Sequence, residues 1–260
     1  MKVIRKIAEW QKIHAAHDNS QAVGFVATMG NLHDGHLSLV NRSLSENDVS
    51  VVSIFVNPTQ FNQAEDFAKY PRTLEEDLEK LKKLKVDYVL APEYTDLFPF
   101  DHTLQLWENQ ISTMMEGRHR PSHFSGVLTV LMKFFHLIQP SRAYFGEKDY
   151  QQLDLIQRMA GTFFMSIDVI GCPTVREASG LALSSRNSRL SDIEKKHAAT
   201  LHQLLASHYP DGVVSDRLKT EGFKVDYIET HNQRRYGAVW LGNVRLIDNV
   251  VLEEVHDPVY

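Results

Sequence analysis

Residues 24–40 read GFVATMGNLHDGHLSLV, and the parsing of this stretch decides the fold. Val23 to Thr28 is a short apolar run of buried-strand length. Gly30, His33, Gly35 and His36 then follow in alternation. From His36 onward Leu37, Leu39, Val40 and Leu44 recur at spacings that suit a helix packed by one face. A strand, a glycine-bearing turn and a helix start in succession make a phosphate site, because the turn's N–H groups and the positive end of the helix dipole point at one spot. Two imidazoles at i and i+3 face that spot together once the helix begins. The same pair also suits a solvated helix cap. As a metal site the spacing is weak: no H-E-x-x-H pattern is present, and the single cysteine, Cys172, is far along the chain.

Outward from this stretch, residues 4–16 show helical spacing with mixed charges. Residues 49–56, VSVVSIFV, are β-branched and continuous, as a parallel strand buried on both faces should be. That strand halts at Pro58, which leaves Asn57 and Gln60 at a strand's carboxyl end, where ligands of open α/β sheets lie. Thr73-Leu74-Glu75-Glu76 reads as a capping box that opens a helix over 74–84. Its acidic first turn and basic end suit the dipole, with Asp77 a minority candidate for facing a bound cation. Strands are expected at 86–91, 142–145 and 167–171, and a core helix at 124–138, whose Val127, Leu128, Leu131, Phe134, Phe135 and Ile138 share one stripe. The polar, basic run 116–123, EGRHRPSH, reads as a mobile loop. Strands alternating with helices imply a Rossmann-like parallel sheet with helical crossovers. Beyond Arg176 the texture changes: a helical segment at 192–205 and a hairpin-like run at 225–228 and 238–247 suggest a small C-terminal α+β domain. The expected division is 1–175 and 176–260.

Composition narrows the class. The 260 residues are 43% hydrophobic and 23% charged, ordinary for a folded domain pair. A net charge of −5 with no long Lys/Arg run gives no nucleic-acid footprint. One cysteine makes no internal disulfide, which fits a reducing compartment. The first residues, MKVIRKIAEWQKIHAAH, carry charges throughout and lack the apolar core of a signal peptide. No apolar run reaches membrane-spanning length. A cytoplasmic enzyme or binding protein, without membrane attachment, is the expectation.

Three strand-end or loop segments carry phosphate-friendly groups: 29–36, 146–149 and 183–186. Each has a plainer reading, with Lys148 a surface ion pair and Ser184-Ser185-Arg186 a helix cap. No G-x-x-x-x-G-K-[ST] occurs, so any nucleotide is held in another way. The H-x-G-H turn with a distant basic, Ser-containing loop suits adenylyl transfer from ATP, a reaction driven by positioning and charge stabilisation. Mg²⁺ is expected with ATP, bound mostly by its phosphates.

The segments TMGNLHDGH (28–36), FVNPTQF (55–61), YPRT (70–73), FGEKDYQQ (145–152) and GLALSSRN (180–187) resemble, in order and in length, the pantothenate synthetase (pantoate–β-alanine ligase) family of the H-x-G-H nucleotidylyltransferase-like group. The resemblance implies two steps toward vitamin B5 and coenzyme A. Pantoate's carboxylate attacks the α-phosphate of ATP to give pantoyl adenylate and pyrophosphate, and the amine of β-alanine then expels AMP. By motif, His33 and His36 would contact ATP phosphates, with His36 the usual nominee for proton donor, and Lys148 and Arg186 would complete the catalytic set. Met29, Gly30, Gly146, Glu147, Lys148, Asp149, Val175 and the loop Leu183, Ser184, Ser185 and Arg186 would bind ATP. Gln60 and Gln152 would hold pantoate, with Gln60 also near β-alanine and Asn57 part of the same pantoate/β-alanine site. The resemblance also implies a homodimer and a C-terminal domain that serves as a lid. Departures are Ala27 just before the first motif, Asn31 within it, and abbreviated stretches between Leu205 and Val225 and around Arg234 to Trp240, although LGNVRLIDN (241–249) keeps the family's ending. Two competing readings are another H-x-G-H adenylyltransferase with a phosphorylated acceptor and a regulatory nucleotide binder. The neutral Gln60 and Gln152 speak against the first, and the full set of His33, His36, Lys148 and Arg186 against the second.

Overall fold

The structure, a computed structural model, describes residues 1–18 and 20–252. The chain divides into two units, Met1–Pro173 and Thr174–Tyr260. Of the expected C-terminal range, residues 253–260 lie outside the described residues.

The first unit runs β1 (Lys2–Ile4), α1 (Ile7–Ala15), β2 (Val23–Thr28), α2 (Asp34–Glu46), β3 (Val49–Ile54), α3 (Ala64–Ala68), α4 (Leu74–Lys83), β4 (Tyr88–Leu90), α5 (Tyr94–Leu97), β5 (Pro99–His102), α6 (Met115–His119), α7 (His123–Ile138), β6 (Arg142–Gly146), α8 (Tyr150–Thr162) and β7 (Asp168–Cys172). Six of these strands form an all-parallel sheet in the order β1-β4-β3-β2-β6-β7. The chain moves from β2 through β3 to β4 on one side, then lays β6 and β7 on the other. The strand order therefore reverses between β2 and β6, the point at which open α/β sheets take ligands outside the strands' carboxyl ends.

Alternate residues of the central strands are buried in opposite layers. Phe25, Val51 and Leu90 pack with Val127, Leu131, Phe134, Phe135 and Ile138 of α7. Their neighbours Val26, Val52 and Val89 pack with Leu39 and Val40 of α2 and Leu78 and Leu81 of α4. Both faces are covered, which is why β2 and β3 read as continuous apolar runs rather than alternating ones. Each such side chain contributes roughly 1.5–3 kcal/mol of burial free energy.

The second unit holds α9 (Asp192–Ala198), α10 (Thr200–Leu205), α11 (Asp211–Thr220) and an antiparallel sheet of β8 (Lys224–His231), β9 (Arg234–Leu241) and β10 (Val244–Val251), in the order β10-β9-β8. The register pairs His231 with Arg234 and Leu241 with Val244, so each hairpin turns on two residues. Asn232 and Gln233 both have positive φ, as does Gly242, the conformation that matches the right-handed twist of the flanking strands. Leu201, Leu205, Val214, Leu218, Phe223, Val239 and Leu246 form this unit's own core. Arg235, only 4% exposed, donates to the carbonyls of Leu205, Ser207 and Tyr209 and to Asp211, closing the end of α10.

Several expectations are corrected. Ile4 does not start a helix; it pairs with Leu90 in β1, and the helix begins at Ile7. The strand expected over 49–56 stops at Ile54. The segment at 116–123 is not a mobile loop: it contains α6, and Glu116 and His123 are buried. The capping box at Thr73 does not form, because the Thr73 hydroxyl donates to Asp77 instead. The helix expected over 192–205 is two helices meeting at Ala199, and the expected hairpin is three strands preceded by α11. Among the described residues no helix is long and apolar enough to cross a membrane.

Candidate active site

The histidine turn starts from the carboxyl end of β2. Thr28 Oγ1 donates to the Ser53 carbonyl at 2.7 Å and accepts from the Gly30 N–H at 3.2 Å, so the strand end and the turn share one hydroxyl. Gly30 and Asn31 then adopt left-handed conformations, with φ of 82° and 50°. A Cβ on Gly30 would stand 3.1 Å from Asp77 Oδ2 and 3.3 Å from Ile54 Cγ2, in a conformation already unfavourable for L residues. Glycine is required there. Asp77 is fully buried, and its carboxylate accepts from the Asn31 N–H at 2.8 Å, the Leu32 N–H at 2.7 Å and the Thr73 hydroxyl at 3.1 Å. Both oxygens of Asp77, the residue expected to face a cation, thus accept backbone N–H groups of the histidine turn. Among the described residues no group of three His, Cys, Asp or Glu side chains is placed to hold a metal ion.

His33 is the N-cap of α2, with extended backbone (φ −126°, ψ 173°), and His36 lies one turn in. The two rings stand 4.1 Å apart, centroid to centroid. The His33 N–H donates to Nδ1 of His36 at 3.3 Å. A neutral His36 whose Nδ1 accepts must carry its proton on Nε2. Burial, followed by the charges of Lys148 and Lys80, lowers the pKa of His33 to about 4. Burial, with His33 and then the same two lysines, lowers that of His36 to about 3. Both rings are therefore neutral at pH 7, with the charges of Lys148 and Lys80 acting on both.

At the end of β3, Asn57 is 1% exposed and its amide is committed: Nδ2 donates to Gln60 Oε1 at 3.0 Å and to the Gly126 carbonyl at 3.2 Å, while Oδ1 accepts from the Thr59 hydroxyl at 2.8 Å. Asn57, expected near the substrate, holds the Gln60 side chain through its Nδ2 bond. The Gln60 amide also donates to Sδ of Met29 at 3.0 Å, so Met29, Gln60 and Asn57 form one chain of contacts. The Gln60 carbonyl accepts from Arg120 at 3.3 Å and meets Nδ1 of buried His123 at 2.8 Å. At the end of β6, Gly146 leads into a 3₁₀ turn, Glu147–Asp149, and then α8. Lys148 is 19% exposed, with Nζ 3.7 Å from Asp149. Of the two adjacent glutamines, Gln151 is buried and bonded to the Glu116 N–H and the carbonyls of Ile111 and Met114, whereas Gln152 is half-buried.

In the second unit, the Val175 carbonyl accepts from the Leu183 N–H at 3.0 Å, and Arg176 pairs with Ala182. Arg176 binds Asp248 through both terminal nitrogens, at 2.6 and 2.9 Å. Burial alone would raise the pKa of Asp248, but its bonds to His202 and Arg176 outweigh that and hold it low. Ser184 Oγ accepts from the Arg186 N–H at 3.3 Å at the head of the turn Ser185–Arg189.

Within the first unit the structure brings Met29, Gly30, His33 and His36 from the β2 end into one region with Lys148 from the β6 end, on either side of the sheet's reversal. Sequence reasoning missed Asp77's bonds to the turn, Lys80, whose Nζ donates to the Leu32 carbonyl at 2.7 Å, and His123 beneath Gln60. Only the acidic-to-basic run of α4 hinted at the first two.

The chain matches the family model for pantoate-beta-alanine ligase over residues 2–251. It is 45% identical over 252 residues to pantothenate synthetase from Legionella pneumophila (strain Corby), covering 97% of this chain and 100% of that protein. It is 47% identical over 249 residues to pantothenate synthetase from Coxiella burnetii (strain Dugway 5J108-111), covering 96% of each. Among solved structures it is similar to pantoate-beta-alanine ligase from Francisella tularensis complexed with beta-gamma ATP and beta-alanine, with a TM-score of 0.91, 40% identity, and coverage of 96% of this chain and 97% of that one. Pantothenate synthetase from Thermus thermophilus gives a TM-score of 0.88 and 38% identity, with 96% of this chain and 99% of that one covered.

The packing around Gln60 and the buried rings each set an expectation. A Cβ on Gly126 would run into the Thr59 carbonyl and stand 2.8 Å from the Gln60 nitrogen. Gly126→Ala is therefore expected to displace the 58–60 turn and, given the substrate contact that the motif implies for Gln60, to raise KM for pantoate severalfold in a protein that still folds; an unchanged KM would contradict it. The second concerns pH. His33, His36 and His123 have native pKa values of about 4, 3 and 4, lowered chiefly by burial, against about 6.5 in the unfolded chain. Between pH 6.5 and about 3 the unfolded chain binds protons that the native rings refuse, so stability falls as pH drops through that window and is independent of these rings above it. Urea unfolding at pH 7.5 and 5.0 should show this loss, and His36→Gln should lessen it; an identical pH slope in the variant would contradict the assignment.

Proposed function

The chain belongs to the pantoate–β-alanine ligase family, and we propose that it forms the amide bond of pantothenate by way of a pantoyl adenylate, at the expense of ATP. The observation that carries this reading is the meeting of two neutral imidazoles and Lys148 at the reversal of the parallel sheet. A triphosphate suits that spot, because it needs a cation, N–H donors and a helix N-terminus together.

In the first half-reaction a carboxylate oxygen of pantoate attacks the α-phosphorus. The bond from that phosphorus to the oxygen bridging the β-phosphorus breaks, and pyrophosphate leaves with the electron pair. His36, with Nδ1 occupied by the His33 N–H, presents Nε2–H as a hydrogen-bond donor to the charge growing on the departing oxygens. A ring whose pKa is about 3 is not an imidazolium at neutral pH. The role proposed for His36 is charge stabilisation by a fixed donor. His33 supports it, and Lys148 supplies the full positive charge. Gln60 and Gln152 hold pantoate through amide bonds to its hydroxyls and carboxylate, with Asn57 fixing the Gln60 amide. In the second half-reaction the unprotonated amine of β-alanine attacks the acyl carbon, the C–O bond to AMP breaks, and the amine loses a proton.

By their motif match, Val175, Leu183, Ser184, Ser185 and Arg186 of the second unit are nucleotide contacts. Gly146, Glu147 and Asp149 are assigned to ATP on the same ground. Mg²⁺ enters with ATP on its phosphates. Asp77 does not fit as its ligand, and no step is assigned to the ion. A cytoplasmic location fits the single buried Cys172. A homodimer is supported by Phe100, Leu104 and Trp107, exposed at 81%, 81% and 59% within one short stretch; a single species of monomer mass in sedimentation velocity would oppose it.

The adenylate route predicts exchange of labelled pyrophosphate into ATP with pantoate alone, and release of AMP only when β-alanine is added. Replacing His36 with Ala should slow that exchange by roughly 10²–10³, as loss of a transition-state hydrogen-bond donor does, while weakening ATP binding much less. Equal losses in rate and binding would mean that His36 acts on the ground state.

A further inference from the structure

Helix α4 lies outside the motifs assigned to the reaction, yet it holds both sides of one residue in the histidine turn. Asp77 takes the N–H of Leu32 at 2.7 Å, and Lys80, three residues on along the same helix, donates to the Leu32 carbonyl at 2.7 Å. Asp77 also takes the Asn31 N–H at 2.8 Å and is itself steadied by the Thr73 hydroxyl at 3.1 Å. The turn has need of such a grip. Gly30 and Asn31 are left-handed in succession, and the consecutive N–H groups of Asn31 and Leu32 point into one concavity, as successive N–H groups do where they capture an anion. Here the anion is internal: a buried carboxylate fills the concavity, which leaves the imidazoles and the start of α2 to meet an external phosphate.

We propose that Asp77 and Lys80 are positioning residues for adenylate formation, gripping Leu32 by its N–H and its carbonyl and so setting the direction in which the chain enters His33 and α2. This rests on the reading above, in which the imidazole pair stabilises the departing pyrophosphate. The placement of the rings follows from the grip in two steps. Leu32 is joined directly to His33, whose own N–H fixes the tautomer of His36, so a rotation of the Leu32 peptide moves both rings together. Lys80 has a second consequence, since its charge is among those that keep the two rings neutral.

The substitutions that separate positioning from bulk stability are Asp77→Asn and Lys80→Met. A carboxamide of the same shape offers one accepting oxygen to two N–H donors and turns an NH₂ toward the other. Each variant is assayed for pantoate-dependent pyrophosphate exchange, for Tm, for the amide proton shifts of Asn31 and Leu32, and for ring titration of His33 and His36 by NMR. For Asp77→Asn the expected result is an upfield move of both amide protons and a fall in kcat of about tenfold or more, with KM for ATP within about threefold, as for a misplaced transition-state group. For Lys80→Met both ring pKa values should rise and kcat should fall with the same split. A folded Asp77→Asn variant with wild-type amide shifts, or with wild-type kcat, overturns the proposal. Should Asp77→Asn fail to fold, Lys80→Met decides, and wild-type kinetics there overturn the proposal. If the unsubstituted protein shows no exchange at all, the adenylate reading falls and the proposed part in that step falls with it, while the amide shifts still tell whether α4 sets the turn.

Discussion

Two backbone N–H groups bound to one buried carboxylate, those of Asn31 and Leu32 on Asp77, are the constraint on which the geometry of this site depends. A turn that passes through two left-handed residues has few local bonds of its own, and Asn31 occupies that region without glycine's freedom. Hydrogen bonds to an ionised acceptor are about twice as strong as neutral ones, and here they are sheltered from water. The parallel sheet supplies the rest: β2 and β3 deliver the turn and Gln60 to one edge, and β6 delivers Lys148 to the other side of the reversal.

Electrostatics then divide the labour. Full positive charge is placed on lysines, and the imidazoles are kept neutral by burial and by those same lysines. A neutral ring with one nitrogen occupied is a directional donor whose protonation does not change across the physiological range. That suits a reaction in which negative charge migrates onto a leaving pyrophosphate, because a preset dipole needs no reorganisation at the moment of transfer.

Much of this could be read from the chain. The strands β2, β3 and β6 and helix α7 announce themselves because a segment buried on both faces, or along a wide stripe, leaves its environment written in its own residues. The motif residues follow, since they sit at the ends of those strands. What stayed hidden depends on partners distant in sequence. The three-residue β1 exists only because Ile4 finds Leu90. The polar run 116–123 looked like a loop, yet His123 is buried beneath the Gln60 carbonyl. Thr73-Leu74-Glu75-Glu76 satisfies a local spacing rule, but its hydroxyl serves Asp77, which in turn serves a turn 46 positions earlier. No window of local pattern contains that relation. Asn57 shows the same limit at finer scale: its position at a strand end was legible, but not that Thr59, Gln60 and Gly126 would use up its amide.

The central claim is that the carboxylate of pantoate attacks the α-phosphorus of ATP, and oxygen tracing tests it most directly. Pantoate labelled with ¹⁸O in its carboxylate is turned over with ATP and β-alanine, and the products are read by ³¹P NMR. The account predicts one labelled oxygen in the phosphate of AMP and none in pyrophosphate. Label in inorganic phosphate, with ADP as the nucleotide product, would place the attack at the γ-phosphorus and contradict it.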